Sequence, residues 1–410
     1  MCVVESPSGS HVAPRGEAVT SQNDSVFMVA GEASGDWAGA RLAEALRHQR
    51  PEIMLCGIGG RCMSGAGVKL LADSSEWAAI GVFEAVSKAP RVVRALRTAH
   101  AFLANRRPSA LVLIDAGAAN MRLARMTRGL GLPILYYFPP GSWRRTPRSV
   151  AVRDVVDMIA TPFPWSADLL SGGRAYVEWV GHPVVESARP LLPRDAAAAR
   201  YGVDPSRPAV AVAPGSRRQE IHYLLPTLIA AAKRLESAAR GVQFLIPIAA
   251  SLQRQPIEQS VGRAGLDAIF LDGMDYDALQ LADVAIVCSG SVTLEFTCLG
   301  IPMIVAYRAS RATTLQFRLV RGLIGGQRFA AMPNIIAGRE IVPELLGSAA
   351  QPGSIADAAA ALLRDERRRA QMRADLNAVA SALGPPGASE RTAQMVLELI
   401  DAKGGRDVAI

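Results

Sequence analysis

The chain has 410 residues, half of them apolar, with 45 Lys and Arg against 37 Asp and Glu for a formal net charge of +8. That length exceeds one compact core and suffices for two. The charge points to anionic partners such as nucleotides, phosphorylated lipids, an acidic membrane surface or nucleic acid, without choosing among them. Cys2, Cys56, Cys62, Cys288 and Cys298 form no C-x-x-C pair and no Cys/His cluster, which argues against a disulfide framework or a structural zinc and fits a reducing cytoplasm.

Residues 1–24 are rich in Ser, Gly and charge with no apolar h-region, so a disordered tail is expected rather than a signal peptide. No uncharged apolar run reaches the roughly 18 residues of a spanning helix, so any membrane contact is expected to be peripheral. From Val26 onward short apolar runs alternate with longer amphipathic ones: Val26–Ala30, Ile53–Ile58, Leu111–Ile114, Ile134–Phe138 and Met158–Ala160. Each reads as a buried parallel strand followed by a crossover helix, the pattern of a doubly wound α/β sheet. After Val180-Gly181-His182-Pro183 the texture changes, and the proline-rich stretch from Pro190 to Pro208 reads as an interdomain connection. The alternation then resumes with Ala209–Ala213, Phe244–Ile248, Ile269–Asp272, Val284–Val287 and Met303–Ala306.

The expected architecture is therefore two Rossmann-like domains facing a cleft, over 25–187 and 208–384, with a linker at 188–207. A Gly/Pro break at Gly384–Gly387 precedes a final amphipathic helix, Ser389–Ile400, which packs back on the first domain or on another chain. The alanines near 196–199 and 358–361 are helix formers, and Arg364–Arg373 reads as a charged helix face rather than a nucleic-acid patch.

Pro214-Gly215-Ser216-Arg217-Arg218-Gln219-Glu220 ends an apolar strand abruptly, and Ser216 stands three residues before Gln219 as in a capping box. A helix start carries unpaired N–H groups and the positive end of the macrodipole, which with Arg217 and Arg218 suits a diphosphate. An ordinary turn with two solvated arginines accounts for the same residues, so the rest of the chain must decide. Cys288-Ser289-Gly290-Ser291-Val292-Thr293-Leu294-Glu295 offers hydroxyls at a second helix start, with Glu295 placed to take both hydroxyls of a ribose. Both turns open at one sheet edge, so diphosphate at one and ribose at the other is coherent.

In the first half Val29–Asp36 closes a strand with Gly31, Glu32, Ser34, Gly35 and Asp36; it is neither a Walker A nor a dinucleotide fingerprint. Gly57-Ile58-Gly59-Gly60 likewise misses the third dinucleotide glycine at Cys62. Asp275-Tyr276-Asp277 superficially resembles a metal-holding Asp-x-Asp, but it precedes a helix, where Asp is a common cap; neither a metal nor an organic cofactor is expected. Trp143-Arg144-Arg145-Thr146-Pro147-Arg148 mixes an aromatic with arginines that suit lipid headgroups or an anionic leaflet, or form a solvated loop.

Taken in order, these words resemble lipid-A-disaccharide synthase, an inverting glycosyltransferase of the two-Rossmann-domain type (GT-B, family 19). They include Gly31–Asp36, Gly57–Gly60, Ile114-Asp115-Ala116, Val180–Pro183, Pro214–Arg218 with Glu220-Ile221, Ser289–Ser291 with Thr293-Leu294-Glu295, Pro302–Arg308, Pro333-Asn334-Ile335, Pro343–Leu346 and Ala388–Arg391. The resemblance implies a UDP-2,3-diacylglucosamine donor contacting Gly215, Ser216, Arg217, Arg218, Glu220, Ser289, Gly290, Ser291, Thr293, Glu295 and Asn334. It implies a 2,3-diacylglucosamine 1-phosphate acceptor on the side of Glu32, Ser34, Gly35, Asn120, Trp143, Arg144 and Arg145, a β-1,6-linked product, and peripheral binding at the inner face of the inner membrane. A homodimer with exchanged C-terminal helices is known in the family; no nucleic-acid partner is implied.

Departures from the family pattern fall in the acceptor half. The family's Asp-Ala-Pro-Asp-Phe-Asn is Asp115-Ala116-Gly117-Ala118-Ala119-Asn120 here, so Ala118 replaces the carboxylate regarded as the base. Ala38 replaces a His and Ser166 a Glu, and Pro139–Arg145 replaces Ser-Pro-x-Val-Trp-Ala-Trp. Asp115 and Asp36 are the nearest remaining candidates for the base. Two further functional classes stay open: an inert UDP-sugar or lipid binder left after loss of the base, and an isomerase like the UDP-N-acetylglucosamine 2-epimerases, which share the architecture.

Overall fold

The computed structural model describes residues 24–74, 82–143, 150–249, 252–308 and 328–407. The expected tail and the arginines at 144 and 145 lie outside the described residues. In the first half the elements are β1 (Ser25–Ala30), α1 (Ala33–Gln49), β2 (Met54–Gly59), α2 (Arg61–Gly65), β3 (Lys69–Asp73), α3 (Val82–Arg106), β4 (Ala110–Ile114), α4 (Gly117–Thr127), β5 (Ile134–Tyr137), β6 (Met158–Thr161), α5 (Pro164–Leu170) and β7 (Tyr176–Trp179). Their strands form a parallel sheet in the order β3-β2-β1-β4-β5-β6-β7. All residues of β4 and β5 are buried, because both faces of a parallel sheet are covered by helices.

The chain leaves this sheet through α6 (Val184–Ser187) and α7 (Arg194–Tyr201). It then forms β8 (Ala209–Ala213), α8 (Arg218–Ala238), β9 (Gln243–Ile248), α9 (Arg254–Arg263), β10 (Ala268–Asp272), α10 (Tyr276–Leu279), β11 (Val284–Cys288), α11 (Val292–Cys298), β12 (Met303–Tyr307), α12 (Met332–Ala337) and β13 (Glu344–Leu346). The second parallel sheet runs β10-β9-β8-β11-β12-β13. Helices α13 (Pro352–Arg364), α14 (Glu366–Ala382) and α15 (Ala388–Asp407) complete the described chain.

Every expected strand is present within a residue or two at each end. Added to them are β3, β7 and β13, all of which are edge strands with alternating or partial exposure. Each is short and carries at least one charged residue that breaks the apolar run, whereas the remaining edge strand, β10, keeps the apolar run Ala268–Leu271 and is among those expected.

The stretch from 188 to 207 is more structured than a linker. Ala197 and Ala198 of α7 are buried in the second hydrophobic core, Leu192 N–H donates to Asp277 Oδ1 at 2.8 Å, and Arg194 donates to the Leu281 carbonyl at 2.9 Å. The alanine run thus makes a helix that belongs to the second domain.

The final helix, α15, packs back on the first domain of its own chain. Ala393, Met395, Val396, Leu399 and Ile400 share one buried cluster with Leu42, Leu46, Val112 and Leu135. The chain therefore crosses between domains twice, and the two crossings touch. His182 N–H donates to the Leu383 carbonyl at 2.9 Å, and Arg391 donates from Nε and Nη2 to the Val180 carbonyl at 3.0 and 2.7 Å. A Cβ on Gly384 would stand 3.0 Å from Trp179 and 3.1 Å from Gly181, at a φ of +94°, so only glycine fits this crossing.

Candidate active site

In an open α/β sheet, ligands bind where the strand order reverses. The first sheet reverses between β1 and β4 and the second between β8 and β11. The turns leaving these four strands carry Glu32, Asp115, Gly215–Arg217 and Ser289–Ser291. Sequence motifs from four separate places are thus brought to the two switch points.

Asp115 and Ala116 both adopt left-handed backbone, with φ of +51° and +46°, a conformation that non-glycine residues enter at a cost. Neighbouring hydrogen bonds hold it. Asp115 N–H donates to the Tyr137 carbonyl at 3.0 Å, while the Asp115 carbonyl accepts from the Tyr136 hydroxyl at 2.7 Å and from Asn120 Nδ2 at 3.0 Å. Ser34 Oγ donates to Asp115 Oδ2 at 3.3 Å, and an added Cβ on Gly35 would lie 3.4 Å from Asp115 Cβ. The start of α1 is therefore packed directly against this carboxylate. Burial, reinforced by the Glu32 charge, pushes the Asp115 carboxyl up to about 6, although Ser34, the Ala116 N–H and Arg217 pull the other way.

Asn120 does not face the cleft. It is fully buried, and its amide also donates to the Val29 and Ile114 carbonyls at 3.2 and 3.0 Å, so it fastens the Asp115 turn to β1. Asp36 is similarly committed: its buried carboxylate accepts from the N–H groups of Gly60, Cys62 and Met63 at 2.6, 2.9 and 3.1 Å. It caps the start of α2, which removes the geometric support for a base role. Ala118 is exposed in the first turn of α4 and offers no acceptor. Trp143 is half-buried against the apolar cluster of the second sheet rather than free as a membrane anchor.

In the second domain the N-cap position of α8 is Arg217, one residue past the expected Ser216. Glu220, buried in the first turn, accepts from the N–H groups of Ser216 and Arg217 at 2.9 and 3.1 Å and from Arg217 Nη1 at 3.1 Å. Glu220 thus braces the turn from behind, and the two N–H groups expected to meet a phosphate already have a carboxylate partner. Gly215 has a φ of +111°, and a Cβ there would come within 2.4 Å of Glu220 Oε2, so glycine is required for this brace. What the turn offers outward is Ser216, Arg217 and Arg218, all exposed at the start of a 21-residue helix. Arg217 Nη2 also reaches across the cleft to Glu32 Oε2 at 2.8 Å.

The β11 turn divides its residues between structure and surface. Gly290 and Ser291 are exposed, whereas Thr293 is fully buried with its hydroxyl donating to the Gly290 carbonyl at 2.7 Å. Ser289 Oγ donates to the Ala330 carbonyl at 3.1 Å. Glu295 accepts from the Tyr276 hydroxyl at 2.7 Å, and burial pushes its carboxyl up to about 7 despite that bond. Asn334 is fully buried. Its amide donates to the Val342 carbonyl and Glu344 at 2.8 Å each, and its carbonyl accepts from Ile341 and Val342 N–H at 2.7 and 3.0 Å. Every hydrogen-bonding position of this amide is filled, so Asn334 joins α12 to β13 and does not reach a ligand.

Asp275 is the cap of α10, accepting from Ala278 N–H at 3.1 Å, and Asp277 holds the Leu191 and Leu192 N–H groups. The Asp-x-Asp pattern is structural here. Two side chains that hydrogen-bond to candidate site residues, Tyr136 to Asp115 and Tyr276 to Glu295, were not visible as such in the sequence. Tyr136 acts from inside a strand, and Tyr276 stands between two aspartates that drew attention away from it.

Two doubly wound domains with opposed switch points define the two-Rossmann-domain class shared by GT-B glycosyltransferases and UDP-sugar epimerases. The comparisons fix the branch. The profile of the family described as "Lipid-A-disaccharide synthetase" matches residues 26–399. Lipid-A-disaccharide synthase of Geobacter sulfurreducens is 37% identical over 376 residues, covering 92% of this chain and 97% of the relative; that of Myxococcus xanthus is 34% identical over 376 residues, covering 92% and 97%. The chain belongs to the lipid-A-disaccharide synthase family of glycosyltransferases. Among solved structures, UDP-GlcNAc 2-epimerase from Neisseria meningitidis bound to UDP-GlcNAc superposes with a TM-score of 0.58 at 12% identity, covering 91% of this chain and 99% of that one. MurG of Acinetobacter baumannii gives 0.53 at 14%, covering 92% and 99%. At such identities the likeness is one of fold.

Proposed function

We propose that the protein transfers 2,3-diacylglucosamine from UDP to the 6-hydroxyl of 2,3-diacylglucosamine 1-phosphate with inversion at C1. The observation that carries this reading is the juxtaposition across the cleft of Asp115, a carboxylate raised to about 6, with Arg217 at the start of α8. The acceptor hydroxyl forms the new O–C1 bond as the bond from C1 to the diphosphate breaks. Its proton passes to Asp115, and UDP leaves with the bonding electron pair.

Arg217 and Arg218, at the positive end of α8, meet the charge that grows on the leaving diphosphate. Glu295 receives the ribose hydroxyls once Tyr276 yields to them. A base contributes about 10²–10⁴ to such a transfer, and Asp115 combines access to the cleft with a raised proton affinity near working pH. The UDP-GlcNAc seen in the Neisseria epimerase supports a uridine nucleotide in this fold. No helix among the described residues is long and apolar enough to cross a membrane; the net charge of +8 supports peripheral contact with an anionic leaflet, where the acylated substrates reside.

Incubating the purified chain with UDP-2,3-diacylglucosamine and 2,3-diacylglucosamine 1-phosphate is expected to give the disaccharide by mass, with one UDP per product. Measurable UDP binding with no disaccharide would replace this reading by an inert binder. UDP release together with a 2-epimeric sugar, without any acceptor, would replace it by an isomerase.

A further inference from the structure

Glu32 occupies the N-cap position of α1 but does not cap it: its backbone is extended, with φ −138° and ψ 167°, and its side chain makes no bond to the helix N–H groups. A glutamate is a poor choice for that position, where Ser, Thr, Asp or Asn would satisfy an open donor. Its carboxylate instead lies 2.8 Å from Arg217 Nη2, 185 residues away in the other domain. The guanidinium is held by two carboxylates of unlike character. Glu220 is buried and also holds the Ser216 and Arg217 N–H groups, so it cannot let go without opening the turn. Glu32 is 37% exposed in its side chain and can turn into solvent.

We propose that Glu32 is a positioning residue for the transfer: it aims the Arg217 guanidinium across the cleft in the donor-free enzyme and yields it to the diphosphate of the donor. This rests on the reading that Arg217 meets the donor diphosphate. A guanidinium presents a planar fork suited to carboxylate and phosphate alike, so the exposed carboxylate keeps the fork turned across the cleft and occupies one of its donors until the phosphate displaces it. Because Glu32 also stands beside Asp115, the same residue couples the donor side to the proton acceptor. The groups facing Asp115 are Glu32 and Ser34 from the start of α1, Arg217 from the turn before α8, the Ala116 N–H and the Tyr136 ring from β5.

The test is titration of UDP at fixed pH into the full chain carrying Glu32→Gln, Arg217→Ala or both, with kcat/KM followed against pH. Glu32→Gln removes the competitor and is expected to tighten UDP binding about two- to fivefold, the range of an exposed ion pair. The gain should vanish on the Arg217→Ala background. Removing the Glu32 charge also moves the acid limb of kcat/KM to lower pH, which a merely structural residue would not do. Glu32→Asp, one methylene shorter, should shift both readouts in the same direction by less and serves if Glu32→Gln does not fold. Unchanged or weaker UDP binding in Glu32→Gln, while Arg217→Ala weakens it, overturns the role of Glu32 alone. UDP affinity indifferent to Arg217→Ala overturns the donor reading as well.

Discussion

The Tyr136 hydroxyl donates to the backbone carbonyl of Asp115 at 2.7 Å, from a side chain wholly buried inside the first sheet. This bond and that of Asn120 fix a carbonyl whose residue is held in left-handed backbone. The strain at Asp115 is therefore borne by the core, and the carboxylate is aimed by the main chain rather than by its own rotamer. Tyr136→Phe keeps the packing and removes only the donor, leaving a buried carbonyl with one bond fewer. A loss of about 1–2 kcal/mol in stability is expected, with kcat reduced roughly tenfold as the turn relaxes. Unchanged kcat in a destabilised variant would show that the bond serves folding alone.

Asp115→Asn separates catalysis from stability. Asparagine tolerates left-handed backbone and can still accept from Ser34. The folded-state value of Asp115, about 6, lies above its ordinary 3.8, so the folded chain holds this proton more tightly than the unfolded one. The associated stability is present below about pH 4 and is lost as pH rises through about 6. At pH 7 the ionised carboxylate costs up to about 3 kcal/mol. The variant should accordingly melt higher than wild type at pH 7 and equally at pH 4, while turnover falls about 10²–10⁴. A wild-type rate in Asp115→Asn would remove Asp115 from the chemistry.

With the ribose placed on Glu295 as proposed, donor binding is expected to depend on pH. The ribose hydroxyls would donate to the ionised carboxylate, and burial raises that group to about 7. Affinity for UDP-2,3-diacylglucosamine, whose esterified diphosphate does not titrate near neutrality, should fall as pH drops below about 7, approaching tenfold per unit. The Tyr276 hydroxyl lowers the Glu295 value, so Tyr276→Phe should move the midpoint to higher pH. Equilibrium titration between pH 5.5 and 8.5 checks both; a flat profile, or a midpoint that moves down, contradicts the ribose assignment.

What the sequence made legible follows from which forces act locally. Central strands such as β4 and β8 announce themselves because both faces are buried, and the turns leaving them mark the switch points. The edge strands β3, β7 and β13 carry no such run, and α7, though its alanines read as helix formers, falls in a stretch whose flanking prolines suggest a linker. Within the turns, polarity alone could not separate ligand contacts from internal struts. Thr293, Asn334, Asn120 and Glu220 have the composition of a site, yet their partners are backbone groups brought in by tertiary packing. The left-handed Asp115 and its Tyr136 brace join residues 21 apart in sequence at neighbouring strands and leave no short-range signature.

The C-terminal helix should be an obligate part of the first domain. Met395, Val396, Leu399 and Ile400 are buried beside Leu42 and Leu46 of α1, Arg50 joins Asp401 at 3.0 Å, and Gln49 donates to the Glu390 carboxylate at 2.7 Å. Burying four such side chains is worth about 6–12 kcal/mol before the compactness of the unfolded chain is allowed for, comparable with the whole stability of a domain. A chain ending at Gly387 should therefore lose the first domain: amides of β1, β4 and α1 should exchange rapidly while those of β8 and β11 stay protected. The point variant Leu399→Ala, which leaves a cavity without removing the helix, should cost about 2–4 kcal/mol. Protection of α1 unchanged by the truncation would mean that the first domain closes its core without α15, and that the contact is docking rather than folding.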